Sequence, residues 1–356
     1  MATTLFERFH TLTARLSAVA RLPSRSASCI GLDVGSGSIK GVLLTVSQGK
    51  VELLRWAFEP IPPESKTLKS NFIRSALNGL GQKDALIVTG IGGPGTVLRS
   101  VLLPEMSDQE LKAALSFEAE KYIPFKLDET YFDSYKIGKR TGGRMEILLA
   151  AARKEVVESH LQTLASAEIT PDVVDLEALA LANAWERSES ARRLAEKVVV
   201  LIHVGVRGSL LNFFHGKNLQ FTREIPIGGD AFTRAVAEGL SLDPAEAEKI
   251  KCEPGKQLAQ VRSTLEPVWD DLLSQGRVSF DFFENQFGHK VEQLMISGGS
   301  AGLAGFKEKI LQSMGLPTDE WNPAVDLSLE GVSKELGMLG PTFAVAIGLA
   351  LRGMGP

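Results

Sequence analysis

The sequence predicts an α/β protein made of two related lobes, and three observations carry that prediction. The first is an internal repeat. "CIGLDVGSGSIKGVLLTVSQGKVELLRWAFEPI" in the first half is echoed by "VVVLIHVGVRGSLLNFFHGKNLQFTREIPI" in the second, and self-similarity of this kind marks a duplicated structural unit. The second is the order within each copy: three β-rich runs joined by tight turns, then a helical pattern, "KSNFIRSALNGL" or "GDAFTRAVAEGL". That order reads as a β-meander followed by a helix. The third is bulk: 356 residues, 44% apolar and 23% charged, are enough for two or more globular domains with a substantial core. Two related lobes in one chain place a ligand between them.

Taken in order, residues 1–27 form an N-terminal segment in which Leu5, Phe9, Leu12, Leu16 and Val19 recur at helical spacing, with Arg8, Arg15 and Arg21 elsewhere. Basic residues interrupt the apolar ones, so it is not a signal peptide. A helix docked on the body and an amphipathic helix on an anionic surface or partner both fit. The first lobe spans 28–196. Its meander runs through a Gly/Ser turn and a Gly49-Lys50 turn. A small α/β subdomain is inserted at about 94–167, where Ser107 and Glu110 make a capping box, Leu111, Ala114, Leu115 and Tyr122 share a face, and Pro124 ends the helix. "SARRLAEK" reads as a charged surface link. The second lobe spans 197–356. It repeats the meander with its own Gly216-Lys217 turn, continues into a helical subdomain at about 230–290, and returns through "VEQLMISGGSAG". "PTFAVAIGLALR" closes the chain as an apolar helix whose Ala344, Ala346 and Gly348 permit close backbone packing.

Charge and composition narrow the function classes. A net charge of -4 gives no electrostatic reason to expect nucleic acid. The two cysteines, Cys29 and Cys252, make no disulfide framework and suit a reducing cytosol. His10, His160, His203, His215 and His289 show no metal-ligand spacing. No apolar run reaches the roughly 18 residues needed to cross a bilayer.

The turn "DVGSGSIK" fails two phosphate patterns. No Walker loop starts at Gly31 or Gly35. A dinucleotide fingerprint needs Gly where Lys40 stands. Both also require a helix to follow, whereas "IKGVLL" continues as a strand. A phosphate here would be held by backbone N–H groups, the serine hydroxyls and Lys40, and Asp33 beside it calls for an intervening Mg²⁺.

Three such turns occur, in the order hairpin, hairpin, strand–Gly-Gly–helix. On duplicated meanders this order resembles the actin-like ATPase superfamily, which includes actin, sugar kinases and the division protein FtsA. The implied fold is two duplicated ribonuclease-H-like lobes. The resemblance implies ATP held with Mg²⁺ by the first turn (Asp33, Gly35, Ser36, Gly37, Ser38, Lys40) and the second (Gly205, Gly208, Ser209). It implies adenosine lying on the third (Gly298, Gly299, Ser300). "AEKIK" matches Ala-Glu-x-x-Lys, which makes Glu248 and Lys251 ribose or adenine contacts. Asp33 is the implied metal residue, through water.

An insertion placed before the return strand is the FtsA-type arrangement, and "LPEMSDQELKAALSFEAEKYIPF" closely resembles the corresponding segment of the PilM family of type IV pilus assembly, as does "FTREIPIGGDAFTRAVAEGL". That resemblance implies a cytoplasmic protein peripheral to the bacterial inner membrane. Its partner would be the cytoplasmic N-terminus of PilN, bound in a groove beside the insertion. Other assembly components and self-association are further partners. Tyr122 and Phe125 are candidates for the groove or for core anchors. An FtsA-like polymerising ATPase and, in another class, a small-molecule kinase are the alternatives.

The sequence departs from the superfamily at His203, where an Asp that helps hold Mg²⁺ or the attacking water is normal. Losing a charge aimed at the reacting centre typically costs on the order of 10²-fold or more in rate, so binding without efficient hydrolysis is expected. Glu177, with Asp175 as runner-up, is the candidate to position water. A helix-start carboxylate favoured by the macrodipole is the plainer account of either.

Overall fold

The computed structural model describes residues 28–47, 49–62, 67–81, 84–327 and 334–354; the predicted N-terminal segment, 1–27, lies outside them. β1 (Ser28–Val34), β2 (Ser38–Ser47) and β3 (Lys50–Pro60) form the first meander. Its antiparallel register sets Asp33 opposite Lys40. α1 (Lys69–Leu80) follows, with Ile73, Ala76 and Leu80 buried on the sheet at the helical period and Gly81 closing the last turn in the left-handed conformation at φ 68. β4 (Leu86–Ile91) then joins β1 in parallel.

The chain next leaves this sheet. β5 (Thr96–Pro104), α2 (Asp108–Glu118), β6 (Thr130–Arg140) and β7 (Arg144–Arg153) make a separate three-stranded sheet in the order β5-β7-β6, with one helix. The capping box holds: the Glu110 amide donates to Ser107 Oγ at 3.3 Å, and the Ser107 amide donates to Glu110 Oε2 at 2.8 Å. Leu111 and Leu115 are buried, whereas Tyr122 lies beyond the helix end in the turn before Pro124. α3 (Lys154–Ser166) bridges the two sheets: its Leu164 packs with Ile30 and Leu32 of the first sheet and with Ile73 of α1, whereas its Val157 and Leu161 pack with Leu98 and Ala152 of the inserted sheet. β8 (Val173–Leu176) and α4 (Glu177–Arg187) complete the lobe. "SARRLAEK" is more than a charged link, because α5 (Glu189–Arg193) is capped by Ser188 and buries Ala191 with Leu194.

β9 (Val198–Val204), β10 (Ser209–His215) and β11 (Asn218–Ile225) repeat the meander. α6 (Gly229–Leu240), α7 (Pro244–Cys252) and α8 (Leu258–Phe287) follow. Leu265, Trp269, Leu273 and Phe283 of α8 share one core with Val200 and Phe213, so these helices cover the second sheet and have no separate core. β12 (Gln293–Ser297), α9 (Phe306–Met314), β13 (Thr318–Glu320), α10 (Lys334–Leu339) and α11 (Ala344–Gly353) end the chain. The two sheets have the same order, β3-β2-β1-β4-β8 and β11-β10-β9-β12-β13, which is the predicted duplication in three dimensions.

α11 is assigned to the second lobe by sequence, but it packs on the first sheet. Its residues share a core with Cys29, Val42 and Val88 on one side and with Leu201, Phe214 and Met295 on the other. The small residues matter as expected. A Cβ on Gly348 would lie 1.7 Å from the Ala180 carbonyl oxygen, and one on Gly31 would lie 1.9 Å from that of Ala346. Burial pushes the Cys29 thiol up to about 12, so it is an inert core group.

Candidate functional site

The first and second turns meet at the mouth of the cleft: a Cβ on Gly37 would come 2.7 Å from Cγ2 of Val206. Behind the first turn, Lys40 Nζ pairs with Asp33 Oδ2 at 2.6 Å, with both side chains largely buried. The pairing follows from strand register, which sets the two residues side by side across β1 and β2. A charge pair held out of water retains far more of its attraction than one on the surface.

Glu177, the first residue of α4, lies over Gly92, where a Cβ would sit 2.5 Å from Glu177 Oε2. Burial, reinforced by the Asp33 charge and opposed by Lys40, pushes its carboxyl up to about 7. Glu224 of β11, which sequence reasoning missed, adds to the rise. Its carboxyl reaches between the lobes, 3.6 Å from a Cβ placed on Gly93 and 3.8 Å from one on Gly208. Its sequence signal was only a charge beside "IPIGG". Asp175 does not enter this group. It lies 3.6 Å from Arg352 Nε of α11, and its Oδ1 accepts from the Leu176 amide.

His203, the penultimate residue of β9, lies beside Ser297 of β12, with Nδ1 and the hydroxyl 3.0 Å apart. Burial first, and the Lys40 charge second, push its imidazole down to about 4. At neutral pH it is an uncharged hydrogen-bonding group. Two further cations flank the turns. Lys69 donates to the Val34 carbonyl at 3.3 Å, and burial together with the Arg207 charge holds its ammonium below the usual lysine range. Arg207 belongs to the second turn itself.

Several predicted residues have other occupations. The Ser209 hydroxyl is buried and donates to the Ile227 carbonyl at 2.7 Å, so it does not face the cleft. The carbonyls of Gly205 and Val206 accept from the first amides of α6, at 2.9 Å each, which ties the second turn to that helix. Lys251 is buried, donating to Glu248 Oε2 at 2.5 Å and Thr233 Oγ1 at 2.9 Å. This pair forms a wall near Ser300: a Cβ on Gly229 would meet Ser300 Oγ at 3.3 Å and Lys251 Nζ at 3.7 Å. In the third turn, Gly298 has φ 92 with no room for a Cβ beside Val204, whereas Gly299 faces open space. Among the described residues, no group of three His, Cys, Asp or Glu is arranged to hold a metal ion.

A second feature lies beside the insertion. A groove of about 1040 Å³ is lined by Arg99–Leu102 of β5, by Tyr122, Ile123 and Pro124, and by Gln286 and Phe287 of α8. Tyr122 therefore lines it. Phe125 does not; it packs against Leu149 and Ala151 under the Arg153 guanidinium, 4.7 Å from its ring centre.

Duplicated sheets with glycine turns facing each other across a cleft define an actin-like ATPase fold. The chain matches the model of the type IV pilus assembly protein PilM over residues 31–354, and it belongs to that family. It is similar to the solved "PilM-PilN type IV pilus biogenesis complex", with 26% identity over 93% of this chain and 100% of that one and a TM-score of 0.80. The ethanolamine utilization protein EutJ from Carboxydothermus hydrogenoformans, at 15% identity over 97% of each chain and a TM-score of 0.54, shares the fold. Among the described residues, no helix is long and apolar enough to cross a membrane.

Proposed function

We propose that this chain is a cytoplasmic scaffold of pilus assembly, peripheral to the inner membrane. It holds ATP with Mg²⁺ between its lobes as a switching ligand and docks the cytoplasmic N-terminal peptide of PilN beside the inserted subdomain. The observation that carries the nucleotide reading is the Asp33–Lys40 pair at 2.6 Å behind two touching turns, one from each lobe. Lys40, Lys69 and Arg207 suit the phosphates, and the open side of Gly299 suits a flat base. Mg²⁺ would lean on Asp33 through water and on the nucleotide's own phosphates. A neutral His203 supplies no charge to hold a metal or attacking water, which favours slow turnover. The 1040 Å³ groove combines apolar and aromatic lining (Val101, Ile123, Tyr122, Phe287) with charged residues (Arg99, Arg144), which suits a short peptide.

The test is fluorescence polarisation with a labelled N-terminal peptide of PilN on the full chain, alongside thermal melts with Mg–ATP. Saturable peptide binding should weaken at least about tenfold in Tyr122→Ala and persist in Tyr122→Phe. Mg–ATP should raise the melting temperature of the parent chain but not of Lys40→Ala. Absence of peptide binding, or an undiminished thermal shift in Lys40→Ala, would sink the proposal. Pelleting on addition of nucleotide would favour the FtsA-like filament instead.

A further inference from the structure

The repeated Gly-Lys turns take no part in the cleft. Gly49-Lys50 joins β2 to β3, and Gly216-Lys217 joins β10 to β11, at the end of the molecule away from the glycine turns that face the cleft. Both glycines are left-handed, at φ 78 and φ 59, which fixes the direction in which each lysine leaves its turn. The second turn is anchored further. Trp185 Nε1 donates to the Gly216 carbonyl at 2.9 Å, the Gly216 amide donates to the Lys197 carbonyl at 3.0 Å, and a Cβ on Gly216 would meet the Ala195 oxygen at 2.4 Å.

The two turns, one from each lobe, open onto a single cavity of about 680 Å³. Arg187 and Arg192, from α4 and α5, also line it, giving four cations against the carboxylates of Glu186 and Asp326. Asp326 already accepts from the Glu189 amide at 3.1 Å, and Arg192 pairs with Glu189 at 2.7 Å. Lys50 and Lys217 are exposed, as are Arg192, Glu186 and Asp326, and Val51, Leu327, Ile347 and Leu351 supply the apolar part of the lining. Its size falls within the range of ordinary ligand sites.

We infer that this inter-lobe cavity is a second docking site, for an acidic peptide segment of a partner protein that inserts one apolar side chain between flanking carboxylates. Charge complementarity selects the occupant. The chain's own N-terminal segment carries an apolar stripe, but with Arg8, Arg15, Arg21 and Arg25 against Glu7 it is basic and would be repelled. A purely apolar peptide would leave the lysines unused, whereas carboxylates gain the Lys50 and Lys217 ammonium groups beside an apolar lining. The site is separate from the nucleotide cleft and from the groove beside the insertion: α4 begins at Glu177 in the cleft and ends at Arg187 here.

The test is selection of a random twelve-residue peptide library on the full chain, with the Lys50→Glu/Lys217→Glu variant as counter-selection. Both positions are exposed turn residues, and a thermal melt checks that the variant folds. Peptides specific to the parent chain should carry two or more acidic residues around a Leu, Ile or Phe. Their synthetic forms should lose at least about tenfold in affinity in the double variant, weaken with salt, and bind Lys40→Ala as they bind the parent chain. A second variant, Lys217→Gln, should show a partial loss. Failure to recover parent-specific peptides, recovery of apolar peptides indifferent to the charge reversal, or binding lost in Lys40→Ala would each overturn the inference.

Discussion

His203 shows how much chemistry one side chain decides. It stands near the end of β9, hydrogen-bonded to Ser297, in surroundings that hold the imidazole neutral. His203→Asp would bring a carboxylate toward Asp33. Without metal, like charges in a partly buried cleft should lower stability by about 1–3 kcal/mol. With Mg²⁺ and ATP, a charge aimed at the metal should raise hydrolysis at least about tenfold. A phosphate-release assay and melts with and without Mg²⁺ check both halves. Glu177 sets a pH dependence. Its folded carboxyl titrates at about 7, above the ordinary glutamate value of 4.5. Between those values the folded chain binds more protons than the unfolded one, so stability from this group is greatest at low pH and falls as pH rises through 7. With the discount for its open side, the fall is about 1–3 kcal/mol. Glu177→Gln should flatten the denaturation midpoint across that window; an unchanged slope would mean the group does not titrate there.

At the scale of the element, α11 is the contact most sensitive to a single atom. It is buried along nearly its whole length, and Gly348 rests against the backbone of α4. Gly348→Ala gains a little helix propensity, about 1 kcal/mol, but its Cβ would fall 1.7 Å from a carbonyl that belongs to another helix. The clash should win, with a net loss of about 1–3 kcal/mol read as a lower denaturant midpoint. The helices, strands and turns that follow each meander were legible in the sequence because their signals are local: the 3.6 period in 69–80 and 229–240, the capping box at Ser107, the glycines at 49 and 216. The double packing of α3 was less legible: it looks like any amphipathic helix, and only the structure sets Leu164 among Ile30, Leu32 and Ile73 while Val157 and Leu161 meet Leu98 and Ala152.

For the whole molecule, the lobes meet on both sides of α4 and α11: the glycine turns at one end, the lysine turns at the other. Gly37 faces Val206 across the cleft, so Gly37→Leu acts as a wedge. It should leave the melting temperature within a few degrees, increase the radius of gyration in small-angle scattering, and weaken Mg–ATP binding at least about tenfold. Unchanged scattering with unchanged binding would show that the contact at the turns does not govern lobe separation. The candidate site was only partly legible at this scale. Asp33, Lys40, Glu177 and His203 stand where the turns and the helix start suggested. Lys69 carried no motif, Glu224 only a charge beside "IPIGG", and Ser297 was passed over within the third-turn stretch, while Ser209, Phe125 and Asp175 proved to be committed elsewhere.

By itself the sequence determined a duplicated α/β chain with matching meanders, glycine turns and helices, because alternation, helical period and turn chemistry are properties of neighbouring residues. Only the tertiary structure decided which lobe α11 covers, which hydroxyls and carboxylates are used up inside the protein, and which charges share the cleft. It also decided that two lysines 167 positions apart, Lys50 and Lys217, face one cavity. Those outcomes depend on through-space distance and on loss of water, which sequence spacing does not encode.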